Sequence, residues 1–296
     1  MERYTKAQVV TVGTSPKARW YNERGTQLAQ RGRWKRAEAA FSVALRHTAR
    51  FAVALNNRGF VRLRLGEFLL AEADFRAAVE SAPQFALPHH NLGLLHAGGT
   101  AWESARAEFS EAIRLHPELA TSFQNRGVVN IALGDFEDAI RDLDEALRLN
   151  PDNGVAHYNR GFARLSQGDY DGAIDDLDQA IAARPDMAIA HFQRGDVHRA
   201  RGEFDRAIAD YSSAVARDRR LTQAYYHRAE AYQSSGNDLA AIRDFTKVLS
   251  LAPNRAAALH NRGLSYQVLN DLRRAERDFA AARCLADGMT FETRLS

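Results

Sequence analysis

The chain carries ten histidines, and imidazole is the side chain that most readily does acid–base or metal chemistry near neutral pH. His191 and His198 stand seven residues apart, so on a helix they would share a face. Yet no group of His, Asp and Glu has the tight helical spacing of a zinc motif. No glycine-rich phosphate loop, G-x-S-x-G elbow or Cys–His pair occurs. Cys284 is the one cysteine, which excludes an internal disulfide framework or thiolate zinc site. These absences predict a chain that is not an enzyme and uses no metal or cofactor. Its histidines read as packed or partly exposed.

A second pair of residue types recurs at fixed spacing. Arginine stands at 24, 58, 126, 160, 194, 228 and 262. All but Arg24 are followed sixteen residues later by an aspartate, at 74, 142, 176, 210, 244 and 278. Two exceptions bracket the rule: Ala40 follows Arg24, and Leu92 stands where an arginine would precede Glu108. Guanidinium and carboxylate in register predict a bidentate, partly buried bridge rather than catalysis.

Both series follow from one period. Gly25, Gly59, Gly93, Gly127, Gly161 and Gly195 are each 34 residues apart, and the series runs on through Ala229 to Gly263. A strict period of this length marks a solenoid. Eight repeats follow without insertion: 18–51, 52–85, 86–119, 120–153, 154–187, 188–221, 222–255 and 256–289. A basic tail, 1–17, precedes them and a short tail, 290–296, follows.

Numbered from 1 to 34, each repeat reads as two helices, A and B. Position 8 is the small residue just noted, and position 15 is glycine in six repeats, suited to a left-handed turn. Position 17 is mostly aromatic, position 20 always alanine, and position 24 always large and apolar. Proline at position 32 in five repeats ends helix B. Positions 17, 20, 24 and 27 form one helical stripe that no repeat can bury alone, so neighbours must stack. Small residues at 8 and 20 let the helices approach, and large ones at 17 and 24 fill the gaps.

This pattern resembles the tetratricopeptide repeat (TPR) family. The resemblance implies an all-α, right-handed superhelix (an α-solenoid) with a concave groove lined by the A helices, and a scaffold for protein partners. Departures predict local effects. Thr100 at position 15, after Gly98 and Gly99, predicts early fraying of the third A helix. Arg219 in place of proline predicts an altered sixth junction. Ala229 and Asp238 predict a soft seventh repeat.

On helix A, positions 4, 8 and 11 face the packing, while 2, 6, 9 and 13 face nearly opposite. In the second to fifth repeats that opposite side is apolar. Position 2 holds Val53, Leu87 and Val155, position 9 holds Phe60, Leu94, Val128 and Phe162, and position 12 holds Leu63, Ile131 and Leu165. Position 6 is Asn57, Asn91, Asn125 and Asn159. Amides in a row can bond the backbone of an extended peptide of any sequence, and apolar neighbours can take its side chains. The row resembles the asparagine ladder of O-linked N-acetylglucosamine transferases, without their catalytic domain. The alternative is that asparagine at position 6 bonds a neighbouring helix. The sixth and seventh repeats turn polar there, with Gln193, Asp196, Arg199, His227, Glu230 and Gln233. The dicarboxylate-clamp pattern of chaperone-binding relatives is missing: position 5 is never Lys and position 9 never Asn.

No apolar run is long enough to span a membrane, and the start lacks a signal-like segment, which predicts a cytoplasmic protein. Residues 1–50 hold eleven Lys/Arg against three Asp/Glu although the net charge is +3. Nucleic-acid binding through that end is the alternative function, and the lack of an aromatic stacking platform among the arginines argues against it. Regulation of a separately encoded enzyme is a further alternative. Val9, Val10 and Val12 read as a tail or as an occupant of a groove. At the other end Leu272, Phe279, Ala282 and Leu285 lack a capping helix, which predicts cover by Met289 and Phe291 or self-association into a homo-oligomer.

Overall fold

The computed structural model describes residues 13–286. All the regular elements among them are α-helices, sixteen in number. The chain forms two compact units, Met1–Pro151 and Asp152–Ser296. The first holds α1 (Pro16–Gln30), α2 (Trp34–His47), α3 (Ala52–Leu65), α4 (Phe68–Ser81), α5 (Ala86–Gly98), α6 (Trp102–Leu115), α7 (Ala120–Leu133) and α8 (Phe136–Leu149). The second holds α9 (Gly154–Ser166), α10 (Tyr170–Ala183), α11 (Ala188–Ala200), α12 (Phe204–Arg217), α13 (Thr222–Ser234), α14 (Asp238–Leu251), α15 (Ala256–Val268) and α16 (Leu272–Ala286). Odd-numbered helices are the A helices of successive repeats and even-numbered ones the B helices. The tail residues Val9, Val10, Val12, Met289 and Phe291 lie outside the described residues.

Position 15 closes every A helix in the left-handed region. Six glycines, from Gly32 at φ 69° to Gly236 at 76°, are joined by Thr100 and Asn270, both at 59°. The third A helix does not fray early as the sequence suggests. It runs to Gly98, and Ala101 N–H bonds the His96 carbonyl at 3.0 Å, as Glu67 N–H bonds Arg62 at 2.9 Å two helices earlier. The glycines before Thr100 are absorbed into the helix end, and threonine takes the strained conformation. The sixth junction also closes normally. Helix α12 stops at Arg217, Asp218 turns extended, and Leu221 N–H bonds its carbonyl at 3.2 Å. The turn is therefore set by the chain reversal and not by proline.

Position 8 sets the distance between the paired helices. A Cβ on Gly59 would stand 2.7 Å from Phe75 Cε1, and one on Gly195 2.7 Å from Tyr211 Cε1. The position-24 residues Phe41, Phe75, Phe109, Leu143, Leu177, Tyr211 and Phe245 are fully buried against these gaps. Position 17 follows the sequence reading at Trp34, Trp102 and Phe204, which pack against the core, and departs from it at two others. Phe68 is 58% exposed and Tyr170 37%.

All six Arg–Asp bridges form. In each, Nε and Nη2 of the arginine donate to the two oxygens of one carboxylate at 2.6–2.9 Å, as in Arg160 with Asp176 at 2.9 and 2.6 Å. The third nitrogen reaches back one repeat. Nη1 of Arg58, Arg126, Arg228 and Arg262 donates to Ser42, Ser110, Ser212 and Thr246 on the preceding B helix at 2.9–3.2 Å. Arg194 meets Asp178 at the same place. One guanidinium thus joins three helices. The buried carboxylate gathers position 11 as well, from Arg62, Asn130 and Arg164 at 2.8–3.0 Å.

Removing one partner of such a buried pair strands the other. Asp142→Ala should therefore cost about 3 kcal/mol and lower the urea midpoint. Glu145→Ala, beside the exposed Arg148, should leave that midpoint within error. Equal midpoints for the two variants would refute a structural role for the bridge.

Candidate functional site

Within each compact unit the A helices of successive repeats touch one another, α3 with α5 and α11 with α13, whereas successive B helices do not. The A-helix layer is therefore the inner one, and positions 2, 6, 9 and 12 lie on it.

In the first unit Val53, Asn57, Phe60 and Leu63 come from α3, Leu87, Asn91 and Leu94 from α5, and Asn125, Val128 and Ile131 from α7. In the second, α9 supplies Val155, Asn159, Phe162 and Leu165. Most are half-buried, because one edge of each side chain serves the core. Val53 packs against the cluster around Phe51 and Leu55, Phe60 and Leu63 against Phe75 and Leu92, and Leu94 against Phe109 and Val129. Leu165 does so against Leu177 and Val197. Val128 stands out at 38% exposed.

The four asparagines divide into two kinds. Asn57 Nδ2 donates to Asn22 Oδ1 at 3.1 Å, and the buried Asn91 donates to Asn56 Oδ1 at 2.8 Å. Asn261 repeats the arrangement with the Tyr226 hydroxyl at 3.0 Å. In these three, position 6 ties its helix to position 5 of the preceding repeat. The Asn125 and Asn159 amides make no hydrogen bond to another described residue, so both donors and the acceptor of each face outward unmatched.

The polar stretch of the second unit is bonded to itself. Asp196 Oδ1 accepts from the Tyr211 hydroxyl at 2.7 Å and lies 2.7 Å from His227 Nδ1. Arg199 lies between Asp196 and Glu230, 3.8 and 3.7 Å away. Burial, then the Asp196 carboxylate, holds the Tyr211 hydroxyl far above the usual phenol range, so it remains a donor. Gln233 Nε2 donates to the Asn261 carbonyl and Ser265 Oγ, both at 2.8 Å. The sequence places Tyr211 in the core series and gives no sign that its hydroxyl serves Asp196.

Three further histidines lie beside carboxylates of their own repeats. His89 Nδ1 lies 2.7 Å from Glu108, His157 3.1 Å from Asp176 and His198 2.7 Å from Glu203. Among the described residues no group of three His, Cys, Asp or Glu side chains is arranged to hold a metal ion. No described helix is long and apolar enough to cross a membrane.

Comparisons with known proteins point one way. A family model described as tetratricopeptide repeat matches residues 57–120, 125–188, 163–221 and 192–257. No curated protein matches the sequence. Among solved structures, MamA is 25% identical over 55% of this chain and 95% of its own, with a TM-score of 0.53. A tetratricopeptide repeat protein from Parabacteroides merdae is 20% identical over 85% of this chain and 99% of its own, with a TM-score of 0.60. YrrB, described as a TPR protein with an unusual peptide-binding site, is 24% identical over 63% of this chain and 96% of its own, at 0.53.

One histidine under the inner face should make the fold acid-sensitive. His90 is buried, with Nδ1 2.8 Å from Ser122 Oγ and its ring edge-on to Phe109. Burial pushes its pKa down to about 4 from 6.5. Between those values the unfolded chain binds the proton and the native chain does not. Acidification through this window should therefore lower stability by at most about 1.4 kcal/mol per pH unit. His90→Gln should flatten the dependence of the urea midpoint on pH from 6.5 to 4; an unchanged slope would refute the assignment.

Proposed function

The chain belongs to the tetratricopeptide repeat family, and on that premise we propose that it is a scaffold holding an extended protein segment on its inner face. The observation that carries this reading is the unengaged Asn125 amide beside the exposed Val128 and half-buried Leu94 and Ile131. Asn159 beside Val155 and Phe162 repeats it in the second unit. An amide with a donor and an acceptor matches a peptide group of any sequence, and the apolar neighbours receive alternate side chains. Asn57 and Asn91 support the ladder from beneath by fixing helix spacing. YrrB, of the same fold, is described by its peptide-binding site.

The family acts as a non-enzymatic scaffold, and an adaptor role toward a separate enzyme falls within this reading. A single buried cysteine, Cys284, suits the reducing cytoplasm we assign to it. Peptides selected from a random library on the full chain should bind Asn125→Ala about fivefold more weakly, from one lost hydrogen bond of roughly 1 kcal/mol, at an unchanged melting temperature. Equal affinity would sink the inner-face model.

Self-association through α16 rests on a separate observation. Phe279 is half-buried, although its seven counterparts are fully buried, and it lines a cleft of about 650 Å³ with Ala256, Ala257, His260, Ala282 and Ala286. Sedimentation equilibrium should show a dimer that Ala282→Glu dissociates; a monomer at 100-fold the working concentration would refute it.

A further inference from the structure

In six repeats the arginine at position 7 grips a carboxylate of its own repeat. Arg24 is placed the same way but faces Ala40, and no described carboxylate lies within ion-pair distance of it. Its guanidinium sits over the Trp20 ring, 5.4 Å from the centroid. Arg24 is exposed, whereas the side chains of Arg58, Arg126, Arg160, Arg194, Arg228 and Arg262 are 15–24% exposed.

Ala40 and Arg24 both line an open cleft of about 480 Å³ between α1 and α2. Arg24, Arg31, Arg33 and Arg36 line it together with Ala40, and no acidic residue does. None of these four arginines has an ion pair among the described residues. The neighbouring Glu38 is already bonded to Arg62 at 2.9 Å. Four like charges at one cleft repel one another, so an anion entering it gains attraction and relieves that repulsion.

We propose that this cleft docks an acidic segment of a partner protein, with one carboxylate taking the place of the side chain absent at Ala40. The fork of Arg24 is set by the same backbone that aims six others at carboxylates, so the chemistry expected of it is carboxylate recognition. A nucleic acid fits less well. One face of Trp20 carries the Arg24 guanidinium, its edge meets Tyr21 at 4.8 Å, and Tyr21 stacks on His47. Tyr21, the aromatic residue that lines the cleft, is thus engaged by His47 rather than offered to bases. The last helix of a second copy is no better match: α16 carries Arg273, Arg274, Arg277 and Arg283 against Glu276, and its Asp278 is held by Arg262. Residues 1–12 bring Arg3 and Lys6 against Glu2, so this chain's own start lacks the complementary charge.

The test uses the full chain and a labelled octaglutamate peptide, followed by fluorescence anisotropy. Octaglutamine and an eight-residue oligothymidine serve as comparisons. The wild type should bind octaglutamate and bind oligothymidine more weakly. Ala40→Asp supplies the missing carboxylate internally; it should weaken octaglutamate binding about tenfold or more while raising the melting temperature. Arg24→Gln should weaken binding equally without that rise, and it decides the matter if Ala40→Asp fails to fold. Overturning results are no octaglutamate binding by the wild type, undiminished binding by the variants, or tighter binding of oligothymidine. A tenfold gain on deleting residues 1–12 would make that segment the occupant and overturn the partner as well.

Discussion

A guanidinium shared by three helices governs the rest of this molecule. Its fork fixes helix B against helix A through an aspartate, and its remaining nitrogen fixes both against the preceding B helix through a hydroxyl. Arg126, with Asp142 on its own B helix and Ser110 on the one before, carries two kinds of contact that a solenoid must otherwise make separately. Nearest-neighbour interfaces are the source of cooperativity in repeat proteins. A polar group that bonds within and between repeats therefore couples the two terms. Its geometry is also exacting, since a buried carboxylate with unmatched oxygens would destabilise the fold it now supports.

The contact between position 8 and position 24 makes that geometry reachable. With no side chain on Gly59 or Gly195, a ring from the B helix lies directly on the A-helix backbone. The helices then stand close enough for an arginine on one to reach an aspartate on the other. The same closeness turns positions 2, 6, 9 and 12 away from the pair and onto the inner layer. There the residues divide by what the neighbouring repeat offers. Asn57, Asn91 and Asn261 find partners on position 5 of the previous helix, whereas Asn125 and Asn159 find none. Candidate binding chemistry is thus what remains after the solenoid has met its own needs.

The exceptions follow the same rule. Where Leu92 replaces the arginine, Glu108 turns to His89 and Leu92 is buried in the core. The network changes partners and no charge is stranded. Where Ala40 replaces the aspartate, no described carboxylate substitutes, and Arg24 is exposed among other arginines. The first defect is repaired internally; the second is left open at a cleft.

The all-α fold, the paired helices, the small-against-large packing and the Arg–Asp bridges were legible in the sequence. Each depends on residues at a fixed separation, and a 34-residue period displays fixed separations directly. What only the tertiary structure decided depends on distances between repeats. Nothing in the spacing distinguishes Asn91, buried and bonded to Asn56, from Asn125, because the difference lies in the neighbouring side chain. Phe68 shares its register with the packed Trp34 and Trp102, yet stands exposed. Thr100 reads as a weak point, yet backbone hydrogen bonds hold it in the turn that glycine adopts elsewhere. Tyr211 fills a core position by size, and only its packed orientation brings the hydroxyl to Asp196. Periodicity records which residues each helix presents; which of them meet a partner is settled by how closely adjacent repeats approach.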